Sequence, residues 1–88
     1  MSRLDDLNWN EIKSTLYAEI SSCPITTRRD LYKMLDNLAG VAQEVSKLEV
    51  IERRTMGSSG LRVNEKVAEL EKRIKHINQM IMIARIGN

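Results

Sequence analysis

One cysteine and one histidine in 88 residues exclude two common ways of holding a small domain together. Cys23 has no second thiol with which to form an internal disulfide. A lone cysteine and a lone histidine cannot build a metal cage. No metal or other cofactor is implied. A chain this short has little core, so oligomerisation is the remaining support. No stretch reaches the roughly 18 apolar residues of a membrane span, so no membrane partner is expected. The charged start Met1-Ser2-Arg3-Leu4-Asp5-Asp6 is followed by no apolar run and does not read as a secretory leader. These absences point to a cytoplasmic protein in a reducing compartment.

Catalytic chemistry is missing too. No nucleophile, base and acid can be assembled into a set from this inventory, so an enzyme is not expected. Cys23 precedes Pro24 with no histidine nearby in sequence, and His76 sits beside an apolar seam as an ordinary boundary residue. Ser58-Ser59 lies between glycines, but no Gly-Lys-Thr follows to make a phosphate loop. No zinc finger, RNA-binding strand motif or helix-turn-helix is visible.

What is present is helical periodicity. Val63, Val67, Leu70, Ile74, Ile77, Ile81 and Ala84 recur at alternating spacings of four and three. Leu31, Met34, Leu38, Val41, Val45 and Leu48 keep the same rhythm. Between them Thr55-Met56-Gly57-Ser58-Ser59-Gly60 is turn chemistry. The fold class is therefore all-α, with a short N-terminal helix before a long antiparallel helical hairpin of coiled-coil character. One domain, residues 1–88, is expected. A hairpin cannot cover both stripes well by itself, so self-association is expected.

The boundaries follow from caps. The first helix is predicted over about 8–21. Asn8 serves as cap, Glu11 as its capping-box partner, and Leu7 with Ile12 as a hydrophobic staple. Trp9, Ile12, Leu16 and Ile20 share an apolar flank that folds back onto the hairpin, and Pro24 ends the helix. The second helix is predicted over about 28–54, with Thr27 and Asp30 as its capping box. Gly40 and Ala42 are small enough for another helix to approach. The turn covers 55–60 and the third helix about 62–86. Glu49–Arg53, Glu69–Arg73 and Glu71–Lys75 are i,i+4 pairs. Met80, Ile81, Met82, Ile83, Ala84 and Ile86 leave almost no polar face. Met80, Ile81, Ile83 and Ala84 are thus candidates for a subunit interface, or for internal packing under the first helix.

Charge is uneven although the net value is only +2. Residues 1–27 carry two basic and four acidic side chains, and residues 61–88 carry six basic and three acidic. Arg28 and Arg29 stand in the predicted first turn of the second helix, where the dipole favours acids. With Lys33 one turn on and the ring of Tyr32 beside them, they form a candidate anion site. Phosphate is its natural ligand, and Arg85 from a neighbouring copy could complete it. Lys72, Arg73 and Lys75 form a second basic group, which reads as a solvated face because Glu69 and Glu71 pair with it.

The layout over residues 29–86 resembles the phage anti-CBASS sponge proteins, which capture cyclic oligonucleotide signals of bacterial antiphage defence. The matching residues are Arg29-Asp30-Leu31, the run Leu35-x-x-Leu38 to Val45-x-x-Leu48 with Ala42 inside, Arg73, and Met80-Ile81-x-Ile83-x-Arg85. Gly87-Asn88 stands where the family has a glycine and a proline. The resemblance implies small oligomeric hairpins that bind cyclic dinucleotides between subunits. It also implies a place in the host cytoplasm if the chain is phage-encoded. The leading expectation is non-enzymatic sequestration of a phosphate-bearing nucleotide by a homo-oligomer. The alternatives are a protein–protein adaptor or inhibitor docking through the apolar helix end, and a weak nucleic-acid binder.

Overall fold

The computed structural model describes residues 2–54 and 60–87. It contains four helices: α1 (Arg3–Leu7), α2 (Trp9–Ser21), α3 (Ile25–Arg54) and α4 (Gly60–Ile86). No strand occurs among the described residues. The predicted turn at 55–60 falls almost wholly on residues 55–59, outside the described residues. α3 and α4 are the long hairpin, and α2 packs against both. With α1 continuing along α3, the three layers form a rod of 50 × 17 × 17 Å.

The buried positions follow the predicted seams. Val63, Leu70 and Ile77 are fully buried at seven-residue intervals on α4, with Ile81 one turn further on. Leu31, Leu35, Leu38, Val41, Ala42 and Val45 face them from α3, and Trp9, Leu16 and Ile20 from α2. α2 therefore covers the stripes that the hairpin leaves open, which is the internal-packing reading of the first helix.

Three boundaries differ from expectation, each for a visible reason. α1 precedes the predicted first helix, and Ser2 Oγ caps it by accepting from the Leu4 N–H at 3.2 Å. Asn8 does not cap α2 with its side chain, because it adopts the left-handed conformation at φ 60°. A side-chain cap needs extended backbone there, whereas Asn8 uses its N–H to close α1 onto the Asp5 and Leu4 carbonyls. α3 begins at Ile25, not after Thr27. The Pro24 carbonyl accepts from the N–H groups of Thr27 and Arg28, and the Thr27 hydroxyl donates to the same oxygen at 3.0 Å. Proline's fixed φ favours a helix start, so the helix gains nearly a turn.

Of the two small residues on α3, Ala42 is buried but Gly40 is exposed, and a Cβ built on Gly40 meets nothing within 4 Å. No helix of this chain approaches it. A glycine inside a helix costs roughly 0.5–1 kcal/mol relative to alanine through backbone entropy. Gly40→Ala should therefore stabilise the monomeric fold by about that amount and raise Tm by a few degrees in calorimetry. A lowered Tm would show that something packs against Gly40 in solution.

Candidate functional site

The turn between α2 and α3 sets the basic end of the rod. Arg28 lies in the first turn of α3, half-buried, and its Nε donates to the Cys23 carbonyl at 2.8 Å. The guanidinium thus staples the end of α2 to the start of α3. Tyr32 lies against Tyr17, with ring centroids 5.0 Å apart and planes at 39°. Two members of the predicted anion site are thereby engaged with their own chain. Arg29 and Lys33 are exposed, one turn apart, and have no side-chain partner among the described residues.

Arg85 is exposed and lines a groove of about 420 Å³ between α2 and α4, with Glu19, Asn78, Ile81, Met82 and Ile86. Arg28, Arg29, Tyr32 and Lys33 do not line that groove. Within one copy the structure does not bring Arg85 into a common cavity with them.

The apolar end of α4 divides into two faces. Ile81 is 1% exposed, and Ala84 is half-buried against the core. Of the two readings offered for this end, packing within one chain accounts for Ile81 and in part for Ala84. Met80 and Ile83 face outward, and with them Met82 and Ile86. Ile83 is 62% exposed and Ile86 77% exposed, and Ile25 at the same end of the rod is 76% exposed. A helix end buries large aliphatics unless something else covers them, so this is the least accounted-for surface of the molecule.

Two further grooves run along the rod. One of about 510 Å³ between α3 and α4 is lined by Glu44, Lys47, Leu48, Arg62, Glu65, Lys66 and Glu69. Three of its charges are paired: Lys66 Nζ lies 2.8 Å from Glu44 and 3.1 Å from Glu69, and Arg73, outside the groove, lies 3.2 Å from Glu69. Hydrogen bonds from Lys66 and then Arg73 hold the Glu69 carboxyl below the usual carboxylate range. Its stabilising contribution is present above that range and fades as pH falls through the lowered value. All these groups face solvent, so salt screens the effect. The predicted Glu69–Arg73 pair is formed, and Lys72 and Lys75 stay exposed. The other groove, about 620 Å³ between α2 and α3, is mostly apolar and is lined by Lys13, Ser14, Tyr17, Ala18, Leu35, Asp36 and Ala39.

The main polar cluster lies near the opposite end and was not anticipated. Glu49 is the buried charged residue of the described chain. Its Oε1 accepts from Ser2 Oγ at 3.0 Å, and its Oε2 accepts from the Arg3 N–H at 3.0 Å and from Arg3 Nη1 at 3.4 Å. Arg3 also reaches Glu52 at 3.1 Å and donates through Nε to Asn64 at 3.0 Å. Bonding to Glu52, and secondarily the charge of both carboxylates, holds the Arg3 guanidinium above its ordinary value. The predicted Glu49–Arg53 pair is therefore replaced. Glu49 continues the register of Leu38, Ala42 and Val45, so it points inward, where Ser2 and Arg3 at the start of α1 meet it. This cluster ties α1 across α3 and α4.

Comparison with known proteins finds no family model, no curated protein and no solved structure that matches the chain. No cluster of three metal-binding side chains occurs among the described residues. Nor does a buried side-chain nitrogen or oxygen there lack a hydrogen-bond partner. No described helix is long and apolar enough to cross a membrane. Cys23 is buried and free, and His76 is exposed.

Proposed function

We propose that this chain is a non-enzymatic helical binding module that works as an adaptor or inhibitor, docking through the apolar end of α4 and assembling with further copies of itself. The observation that carries this reading is the outward set Met82, Ile83 and Ile86, more than half exposed on a helix whose opposite face is fully packed. Burying such side chains favours association by roughly 1.5–3 kcal/mol each if they become fully covered. The action is stoichiometric and involves no turnover.

A second reading, capture of a phosphate-bearing nucleotide such as a cyclic dinucleotide, keeps the support of Arg29 and Lys33. They are adjacent and exposed, and their charges are unneutralised. It has less behind it than the docking reading, because Arg28 and Tyr32 are engaged with Cys23 and Tyr17.

Light scattering across micromolar concentrations tests the first reading. The wild type should give a multiple of 10.1 kDa, and Ile83→Glu should give a monomer with unchanged helical circular dichroism. A wild type that stays monomeric, or an Ile83→Glu protein that associates like it, would sink the docking reading. A thermal-shift titration with a cyclic dinucleotide tests the second: stabilisation by mass action should appear only if a site exists, and should vanish in Arg29→Glu with Lys33→Glu.

A further inference from the structure

We infer that the apolar end of α4 docks into the α2/α3 groove of a second copy, so that the chains associate head to tail. The inference rests on the docking reading above and assigns its receiving surface. The groove is the apolar complement of the ridge. Leu35 forms its floor, the small side chains of Ala18 and Ala39 leave it open, and the exposed Tyr17 ring walls one end. It is an open surface groove of about 620 Å³. Laying the apolar face of a helix into such a groove is a recurring docking mode.

Charge selects the occupant. The polar rim of the groove is Asp36 and Lys13, and neither has a side-chain partner among the described residues. Arg85 stands beside Met82 and Ile86 in a groove that Glu19 also lines, and it forms no ion pair among the described residues. Seating the ridge in the groove matches Arg85 to Asp36. It also sets Lys13 near the C-terminal end of α4, where the helix dipole is negative and its last carbonyls need donors. A second copy supplies both matches at once.

Within one chain the contact is not made: the α2/α3 groove is lined by residues of α2 and α3 alone, while Met82 and Ile86 line the separate α2/α4 groove. A contact between two different surfaces is heterologous, and it continues into a ring or an open chain instead of stopping at a two-fold dimer.

Sedimentation of complementary variants tests this, with circular dichroism to confirm folding. Ile83→Glu removes the ridge, and Ala18→Arg obstructs the groove at an exposed position. Each alone should be monomeric. Mixed, they retain one good ridge and one good groove, and should form a 1:1 dimer of twice 10.1 kDa that grows no further. Asp36→Arg and Arg85→Asp should each weaken wild-type association by about tenfold, and their combination should restore most of it. A mixture that stays monomeric, a charge swap without rescue, or an Ala18→Arg protein that associates normally overturns the groove assignment and leaves the ridge reading standing. Normal association of Ile83→Glu overturns the ridge reading as well.

Discussion

Ile81→Asp should abolish the folded state, while Ile83→Asp, two residues away on the same helix, should leave it intact. Ile81 is 1% exposed and Ile83 is 62% exposed. Removing the buried aliphatic costs about 2–5 kcal/mol in lost transfer and cavity terms. An unpaired carboxylate in its place adds several kcal/mol more, or is protonated at a similar cost. Domains of this size are stable by only about 5–15 kcal/mol, so the sum consumes most of that margin. At Ile83 the carboxylate stays in water, and the change should lie within about 0.5 kcal/mol. Far-ultraviolet circular dichroism at 25 °C and a denaturant titration check both. A folded, monomeric Ile81→Asp protein would mean that this side chain is covered by another copy and not by α2 and α3.

The pair shows what periodicity makes legible. The seams of α3 and α4 were readable because apolar side chains recur at helical spacing over about five and six turns. The docking of α2 was readable from Trp9, Leu16 and Ile20 on one flank. At the end of α4 the seam picks out Ile81 and Ala84 over Ile83, but an all-apolar stretch does not show whether the covering partner is the same chain or another copy. The partners of the candidate anion site were hidden for a different reason. Sequence places Arg28, Arg29, Tyr32 and Lys33 within two turns, but it does not show that the Cys23 carbonyl and the Tyr17 ring are nearer partners for two of them. The contacts of Arg3 span 46 to 61 residues, beyond any local signal. One clue was present: Glu49 stands where the stripe of α3 calls for an apolar side chain.

Arg3→Met should destabilise the protein more than Glu49→Leu, and the double variant should recover most of the loss. The two residues meet at 3.4 Å, with Glu49 buried and Arg3 partly in solvent. Removing the arginine side chain leaves a buried carboxylate with two remaining donors, Ser2 Oγ and the backbone N–H of residue 3. Those donors soften the penalty without replacing the positive charge, and a fall in Tm of roughly 5–10 °C is expected. Glu49→Leu removes the buried charge itself, extends the apolar stripe beside Val45, and leaves Arg3 bonded to Glu52 and Asn64. Replacing a buried ion pair by apolar side chains is often neutral or stabilising. Thermal melts of the four proteins form a double-mutant cycle whose coupling isolates the pair. Hydrogen exchange adds the structural readout, since loss of the clasp should raise exchange in α1 before α2. Equal losses in both single variants with no recovery in the double would show that α1 is held by the packing of Leu4 and Leu7, and that the buried carboxylate carries no net charge penalty.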